Sequence, residues 1–102
     1  AIRDACQRLK QPHLEGAVLY TSAEPCPMCY VASCWAHIAH IFFGASMLDT
    51  TKWGDFTDID YYEQLALPNG DPSKRIQLTE YMREDAVDVW VKFKKMPGHS
   101  HY

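Results

Sequence analysis

The stretch that decides the fold is AVLYTSAEPCPMCYVASCWAHIAHIFFG, residues 17–44. It opens with an apolar, β-prone run at residues 17–21, whose weak alternation is typical of a central strand covered on both faces. Residues 26–39 favour a helix, with Pro27 in its first turn. Ile41-Phe42-Phe43-Gly44 predicts a second buried strand. A strand, a helix and a strand in this order form a right-handed crossover between parallel strands, so the predicted fold class is α/β.

Periodic apolar residues predict three more helices around this unit. The first covers residues 1–9, starts without a preceding capping residue and ends before Pro12, which cannot continue the hydrogen-bond ladder. A short helix is predicted over residues 59–67, ended by the turn Pro68-Asn69-Gly70. The strongest helical pattern outside the central unit runs over residues 82–93.

The remaining segments are less regular. Residues 46–60 lose the periodic pattern and combine large aromatic side chains with acids, which is typical of a functional or disordered loop. Ile76 and Leu78 suggest a short strand. Residues 99–102 form a short tail without periodicity.

The composition predicts one globular domain spanning residues 1–102. The 102 residues carry a net charge of −3, and 47% of them are hydrophobic, which is enough to form a core. No stretch is long and apolar enough to span a bilayer, and no secretion signal opens the chain, so we expect a cytoplasmic protein without a membrane partner. The net negative charge disfavours a nucleic-acid partner, which usually requires a basic face, and favours a small-molecule substrate. The nearest approach to a basic cluster is Lys92, Lys94 and Lys95, and these residues are typical of a solvated helix end.

Two of the four cysteines have the spacing of a metal site. Cys26 and Cys29 lie three residues apart at the start of the predicted helix, where thiols share a face and the positive helix end favours the thiolates that bind zinc. The same spacing also fits a redox pair, half of a structural zinc site, or core cysteines. We interpret Cys6 and Cys34 as core residues, because both lie within apolar helical patterns.

The histidines offer weaker signals than this cysteine pair. His37 and His40 lie at the far end of the predicted helix, and that position favours C-terminal caps over metal ligands. His99 and His101 belong to the tail, where solvated side chains are the expected state.

The segment Glu24-Pro25-Cys26-Pro27-Met28-Cys29 resembles the second half of the zinc-dependent cytidine/deoxycytidylate deaminase superfamily signature, H-x-E followed by P-C-x-x-C. The similarity extends upstream through Leu19-Tyr20-Thr21-Ser22 and downstream through Phe42-Phe43-Gly44-Ala45 and Phe56-Thr57-Asp58. Within the superfamily the similarity is strongest to the purine branch and, inside that branch, to guanine deaminase. The resemblance implies a three-layer α/β/α fold with a mixed central sheet.

The resemblance also assigns a metal site. It implies that Cys26 and Cys29 are two ligands of Zn2+, the third being the His of a His-Ala-Glu segment whose Glu is the general acid/base. In the family this segment precedes the helix that resembles Ala1-Ile2-Arg3-Asp4-Ala5-Cys6. We therefore interpret the chain as the C-terminal part of a deaminase domain, truncated at the N-terminus.

Further roles follow from the same resemblance. Asp58 is the candidate for assisting ammonia departure, its alternative role being an ordinary helix N-cap. Tyr102 is the candidate for a tail that crosses to a partner subunit and covers its substrate, against a simply frayed terminus. Trp53 and Phe56 either line the purine pocket or anchor their loop.

These residues lead to several functional hypotheses. The first is zinc-dependent hydrolytic deamination of a purine base, guanine to xanthine plus ammonia, by a homodimer with an exchanged C-terminal tail. Large apolar residues such as Trp35 and Trp90 suggest a homodimer, with the internal core as the alternative location. The alternatives are a guanosine or other nucleoside deaminase, a tRNA adenosine deaminase, which the acidic balance weakens, and a non-catalytic zinc-binding fragment or pseudoenzyme.

Overall fold

The computed structural model describes residues 1–99. Its elements, in chain order, are α1 (Ile2–Leu9), β1 (Val18–Ala23), α2 (Pro27–Trp35), β2 (His40–Ala45), α3 (Met47–Gly54), α4 (Asp58–Ala66) and α5 (Arg83–Lys95). The chain divides into two compact units, the first covering Ala1–Ala66 and the second beginning at Leu67. The first unit holds both strands and α1 to α4, whereas α5 belongs to the second. The single-domain expectation stays a prediction.

The first unit is built around a β–α–β crossover. β1 and β2 pair in parallel, with Val18 opposite His40 and Tyr20 opposite Phe42. α2 connects them, as expected for parallel strands, which need a crossover rather than a hairpin. The predicted α/β class is therefore confirmed, and within residues 1–99 the sheet consists of these two parallel strands.

The strands are more exposed than their apolar sequences predict. Tyr20 is 77% exposed, and Phe42 and Phe43 are 48% and 47% exposed, so the expectation of strands covered on both faces is wrong for this chain. The rings of Tyr20 and Phe42 stack at 5.2 Å between centroids, covering each other in part. Cys34 is also exposed, which contradicts its interpretation as a core residue, and Cys6 is half-buried.

The buried core of the described residues is small. Its members come from the loop before β1, from α2 and its C-cap, and from the start of α3: Leu14, Ser33, Ala36 and Met47. A hydrogen bond of 2.7 Å from the Leu14 amide to the Ala36 carbonyl joins the loop to the end of α2. The loop that leads into β1 is therefore fixed to the end of α2.

α2 is shorter than the helix predicted over residues 26–39. It ends because His37 adopts a left-handed conformation with φ of 59°. The amide of His37 then donates to the Cys34 carbonyl, and the amide of Ile38 donates to the Ser33 carbonyl. This pair of bonds is a Schellman motif, which stops a helix by satisfying its last carbonyl groups. His40 lies beyond it in β2, so its expected role as a helix cap is wrong.

The segment predicted as a loop over residues 46–60 is largely helical. Ser46 caps α3: its hydroxyl accepts from the Asp49 amide, while the Asp49 carboxylate accepts from the Ser46 amide. This reciprocal capping box was present in the sequence as Ser-x-x-Asp, and it outweighs the weak periodicity. The αL residue Asp55 ends α3, leaving a short connection to α4.

The later elements agree with the sequence except at one point. α4 confirms the short helix predicted over residues 59–67, and α5 confirms the one over residues 82–93. The short strand predicted at Ile76 and Leu78 is wrong, since neither residue pairs with a strand in the described part of the chain. Their side chains are 75% and 52% exposed. Among residues 1–99, no helix combines the length and the apolar character needed to cross a membrane.

Candidate active site

The two thiols of the P-C-x-x-C segment meet at the start of α2. Cys26 is the N-cap residue and Pro27 occupies the first turn, where its missing N–H removes no helical hydrogen bond. Cys29 lies one turn along, and its carbonyl accepts a hydrogen bond of 2.8 Å from the buried Ser33 hydroxyl. The positive end of a helix lowers the energy of negative charge, so this position suits thiolates.

The thiols also contact each other. The pKa of Cys29 is raised above its ordinary value, first because its thiol hydrogen-bonds to Cys26, and then because of burial and the negative potential of Cys26 and Asp58. In the metal-free chain the Cys29 thiol therefore favours its protonated form. A divalent cation would reverse this preference, since metal ligation requires thiolates.

Asp58 and Tyr62 approach this site from α4. Asp58 lies in the first turn of α4, and its charge contributes to the raised pKa values of both Cys29 and Tyr62. The pKa of Tyr62 is raised chiefly by burial, with a further contribution from Glu24. The Tyr62 hydroxyl donates a 3.1 Å hydrogen bond to the Pro25 carbonyl. The structure thus brings Asp58 near the predicted zinc ligands Cys26 and Cys29.

Glu24 joins the same segment to α3. Its carboxylate accepts a 2.8 Å hydrogen bond from the Met47 amide at the first turn of α3. The Glu24 amide donates to the Ala45 carbonyl at 2.8 Å, which extends the sheet contact beyond β1. The backbone that leads into Cys26 is therefore tied to the sheet, to α3 and to α4.

The two thiols form part of a ligand set that fits zinc. Two cysteines one helical turn apart supply two of the four positions of a tetrahedral zinc site, and sulfur is a ligand that zinc prefers. Within residues 1–99, no third His, Cys, Asp or Glu joins Cys26 and Cys29 in a group of three ligand atoms. The family's His-Ala-Glu segment does not occur in the sequence.

A cleft of about 640 Å³ lies within the first unit, and its lining includes Pro25 and Cys34 but neither Cys26 nor Cys29. α2, β2 and α4 contribute to its walls, which are mainly apolar; they include Pro25, Tyr30, Ile41, Phe43, Ile59 and Tyr62. A volume of this size is in the range of small-molecule pockets. Pro25 and Tyr62 place the cleft next to the turn that carries Cys26.

The predicted substrate-binding residues do not line this cleft. Trp53 is 77% exposed in α3, where the Lys52 ammonium lies 4.6 Å from its ring centroid. Phe56 is 61% exposed, and its ring packs against Gly54. Among the described residues, the structure therefore does not bring these two aromatics together with the cleft. Tyr102 lies outside the described residues.

A second group of metal-ligating side chains was missed by sequence reasoning. His13, Glu15 and His37 place one ligand atom each within 4.8 Å of the others. The letters His-x-Glu do occur in the chain, as His13-Leu14-Glu15, and could have drawn attention to this loop. The triplet follows α1, whereas the resemblance puts the family's His-Ala-Glu segment before it. His37 joins the pair only through the fold.

Comparison with known proteins identifies the class of this site. Residues 1–45 match the family model described as the cytidine and deoxycytidylate deaminase zinc-binding region. The match includes α1, the crossover and both cysteines of P-C-x-x-C. The resemblance to the zinc-dependent cytidine/deoxycytidylate deaminase superfamily is therefore confirmed over residues 1–45, and the matched region is the one in which this family binds zinc.

The chain is similar to particular members of this class. It is 38% identical over 96 residues to a guanine deaminase of Bacillus subtilis, covering 91% of this chain and 60% of that protein. It is 32% identical over 95 residues to a tRNA-specific adenosine deaminase of Aquifex aeolicus, covering 93% of this chain and 58% of that protein. The X-ray structure of guanine deaminase from Bacillus subtilis superimposes with a TM-score of 0.89 at 28% identity, covering 100% of this chain and 63% of that one. The chain thus spans less than two thirds of the length of these relatives.

Proposed function

We propose that this chain carries part of the active site of a zinc-dependent purine-base deaminase that converts guanine and water to xanthine and ammonia. The observation that carries the proposal is the contact between the Cys26 and Cys29 thiols at the start of α2, with Asp58 close enough to influence the Cys29 pKa. The similarity to a guanine deaminase over 91% of the chain supports the same substrate.

In this proposal Cys26 and Cys29 hold zinc as thiolates, and the helix end lowers the energy of their charge. Zinc, when bound, supplies a Lewis acid that makes a water molecule reactive near neutral pH. Two thiolates leave the ligand set incomplete, and the family resemblance assigns the third protein ligand to the histidine of a His-Ala-Glu segment. Ser33 and Tyr62 hold the backbone around the thiols through hydrogen bonds to the carbonyls of Cys29 and Pro25.

Asp58 is proposed to deliver a proton to the departing ammonia. Loss of the amino group requires that its nitrogen be protonated, and the Asp58 carboxyl group in the first turn of α4 lies close enough to Cys29 to raise the pKa of its thiol. Trp53, Phe56 and Tyr102 are proposed to contact the purine. Both described aromatics are largely exposed, so this role requires that they close onto the base when it binds.

A tRNA adenosine deaminase is the second candidate, favoured by the similarity to such an enzyme over 93% of the chain. The charge distribution favours the free base. The net charge is −3, and in the basic end of α5 Lys92 is engaged by Asp88 at 2.7 Å. A polyanionic substrate usually requires a positive face, since phosphate contacts supply most of the affinity.

The test compares ammonia release from guanine, guanosine and a tRNA containing the target adenosine, using zinc-loaded protein in which a His-Ala-Glu segment precedes residue 1. We expect kcat/KM for guanine to exceed that for guanosine by at least about 10-fold, because a pocket closed around a base rejects a ribose sterically. Faster release from tRNA would instead support the second candidate. Zinc retention without turnover of any of the three would contradict the enzyme proposal and support a zinc-binding module.

Cysteine variants provide the matched controls. Cys26→Ser and Cys29→Ser are each expected to lose one zinc equivalent together with the activity. Cys6→Ser, which changes a half-buried cysteine of α1 whose thiol donates to the Pro12 carbonyl, is expected to keep both the zinc and the activity.

A further proposal is a cytoplasmic homodimer with an exchanged C-terminal tail. The four free thiols are consistent with a reducing compartment, and exposed aromatic side chains such as Trp35 support a contact with a second copy.

A further inference from the structure

A second cluster of ligating side chains lies at the opposite end of α2 from the cysteines. His13 and Glu15 come from the loop between α1 and β1, and His37 directly follows the C-cap residue of α2. Since Cys29 lies in the first turn, the length of α2 separates the two clusters by about 10 Å. A ligand held by the histidines is therefore distinct from one held by the thiols.

The three side chains already contact one another. The Glu15 carboxylate hydrogen-bonds the Nδ1 atom of His37. The rings of His13 and His37 stack at 4.1 Å between centroids. One ligand atom from each residue lies within 4.8 Å of the others. Ligand atoms of one tetrahedral zinc ion are roughly 3.4 Å apart, so side-chain rotation alone brings them into range.

The backbone that carries the cluster is fixed from both sides. Leu14 and Ala36 are the two most buried apolar residues of the described chain, each 4% exposed, and the Leu14 amide donates to the Ala36 carbonyl at 2.7 Å. Leu14 lies between His13 and Glu15, and Ala36 precedes His37. The Schellman bonds described above fix the left-handed backbone of His37. The ligands therefore project from a preorganised frame, which reduces the entropy lost on binding.

We propose that His13, Glu15 and His37 form a second site for a divalent transition metal such as Zn2+. Two imidazoles and one carboxylate are ligands that suit zinc, and the exposed side of Glu15 leaves room for water in the remaining position. Binding turns the His13 ring out of its stack, because a ring nitrogen binds metal in the plane of its own ring. The metal would clamp the loop before β1 to the end of α2, and so stabilise the crossover.

The test counts zinc per chain after metal stripping, reloading with Zn2+ and dialysis. His37→Asn is the principal variant, because asparagine tolerates the left-handed conformation of this position. His13→Gln is the second variant, and His99→Gln, which removes a described imidazole outside the cluster, is the control. We expect both cluster variants to lose one zinc equivalent relative to the unchanged protein and to the control.

Cobalt distinguishes the two sites in one sample. Co2+ bound by thiolates gives a sulfur-to-metal charge-transfer band, whereas Co2+ bound by nitrogen and oxygen does not. We expect His37→Asn to lose a Co2+ equivalent that contributes no such band, while any thiolate band is unchanged. Equal metal content in the cluster variants and the unchanged protein would overturn the proposal. Loss of the second metal equivalent from the unchanged protein on dialysis would mark it as an adventitious ion only and would also overturn the proposal. The same holds if His37→Asn lost the thiolate band together with its metal equivalent.

Discussion

The phenol oxygen of Tyr62 donates a hydrogen bond of 3.1 Å to the carbonyl oxygen of Pro25, which links α4 to the turn that leads into Cys26. Tyr62 is half-buried at this contact. Because Pro25 immediately precedes the first thiol, the bond restrains the backbone from which that thiol projects. The proposed ligand pair is therefore coupled to the helix that carries Asp58.

Tyr62→Phe is expected to lower the free energy of unfolding by about 1 kcal/mol, since it removes this hydrogen bond while keeping the ring. Zinc affinity should fall as well, because the turn before Cys26 loses a restraint. Urea denaturation and a zinc competition titration measure the two effects. Tyr81→Phe, at a position that is 84% exposed, should change neither. Unfolding of Tyr62→Phe at the same urea concentration as the unchanged protein would contradict the role given to this bond.

Gly44→Ala is expected to destabilise the first unit by about 1–3 kcal/mol. A Cβ at residue 44 would lie 2.8 Å from the backbone oxygen of Ser22 on the neighbouring strand, so the strands would have to separate. Thermal unfolding measures the loss. Gly54→Ala is the matched control, because its Cβ would meet the ring of Phe56 at 2.9 Å and that exposed side chain can move away. Equal losses in both variants would refute the backbone clash.

Ser46→Ala is expected to lower the free energy of unfolding by about 1 kcal/mol, since it removes the hydroxyl that caps α3. Helix content and urea denaturation of the variant, measured at pH 7, test this loss. Ser22→Ala, a serine to alanine change outside the capping box, is the comparison. No difference between Ser46→Ala and the unchanged protein would show that the cap contributes nothing to stability.

The same capping box predicts a dependence on pH. The pKa of Asp49 is lowered, chiefly by the Ser46 backbone amide and then by its hydroxyl. A carboxyl group whose pKa is lower in the folded state stabilises the fold above its unfolded pKa, and this contribution is lost as the pH falls through the folded value. Stability should therefore decline below about pH 4. Asp49→Asn should flatten this part of the profile, and an unchanged profile in Asp49→Asn would contradict the prediction.

Zinc binding at the cysteine pair is expected to strengthen with rising pH. Because the pKa of Cys29 is raised in the metal-free chain, zinc must displace its proton, and affinity should change by about tenfold per pH unit for each proton displaced. Competition titrations at about pH 6.5, 7.5 and 8.5 measure the slope in a range where cysteine titrates. Cys29→Ser should bind weakly at all three values. An affinity that does not change with pH would show that the thiols are already ionised without metal.

Asp58→Asn is expected to reduce kcat by about 10²–10⁴-fold while zinc content stays unchanged, because the amide cannot deliver a proton to the leaving ammonia. Asp60→Asn, two residues further along α4, is the matched control and should keep most of the activity. The measurement is steady-state ammonia release together with elemental analysis, made on protein in which a His-Ala-Glu segment precedes residue 1. If both variants are equally active, the first turn of α4 has no catalytic acid at residue 58.

The helices and the metal signature could be predicted from local sequence. α1, α4 and α5 follow apolar periodicity, and the crossover follows from two β-prone runs around a helix that begins with Pro27. Cys26 and Cys29 could be paired because ligands one helical turn apart share a face whatever the surrounding fold. The region from residue 46 to 60 was misjudged because its capping box is a stronger signal than its periodicity.

Other features required the tertiary structure. The end of α2 depends on the left-handed conformation of His37, a residue type that gives no strong stop signal. The approach of Asp58 to Cys29 depends on how α4 packs, and the meeting of His13 and Glu15 with His37 depends on the Leu14–Ala36 contact. The sequence by itself determined the α/β class and the cysteine pair, because both rest on local spacing. Only the fold decided which distant charges and ligands meet, because those contacts join residues more than 20 positions apart.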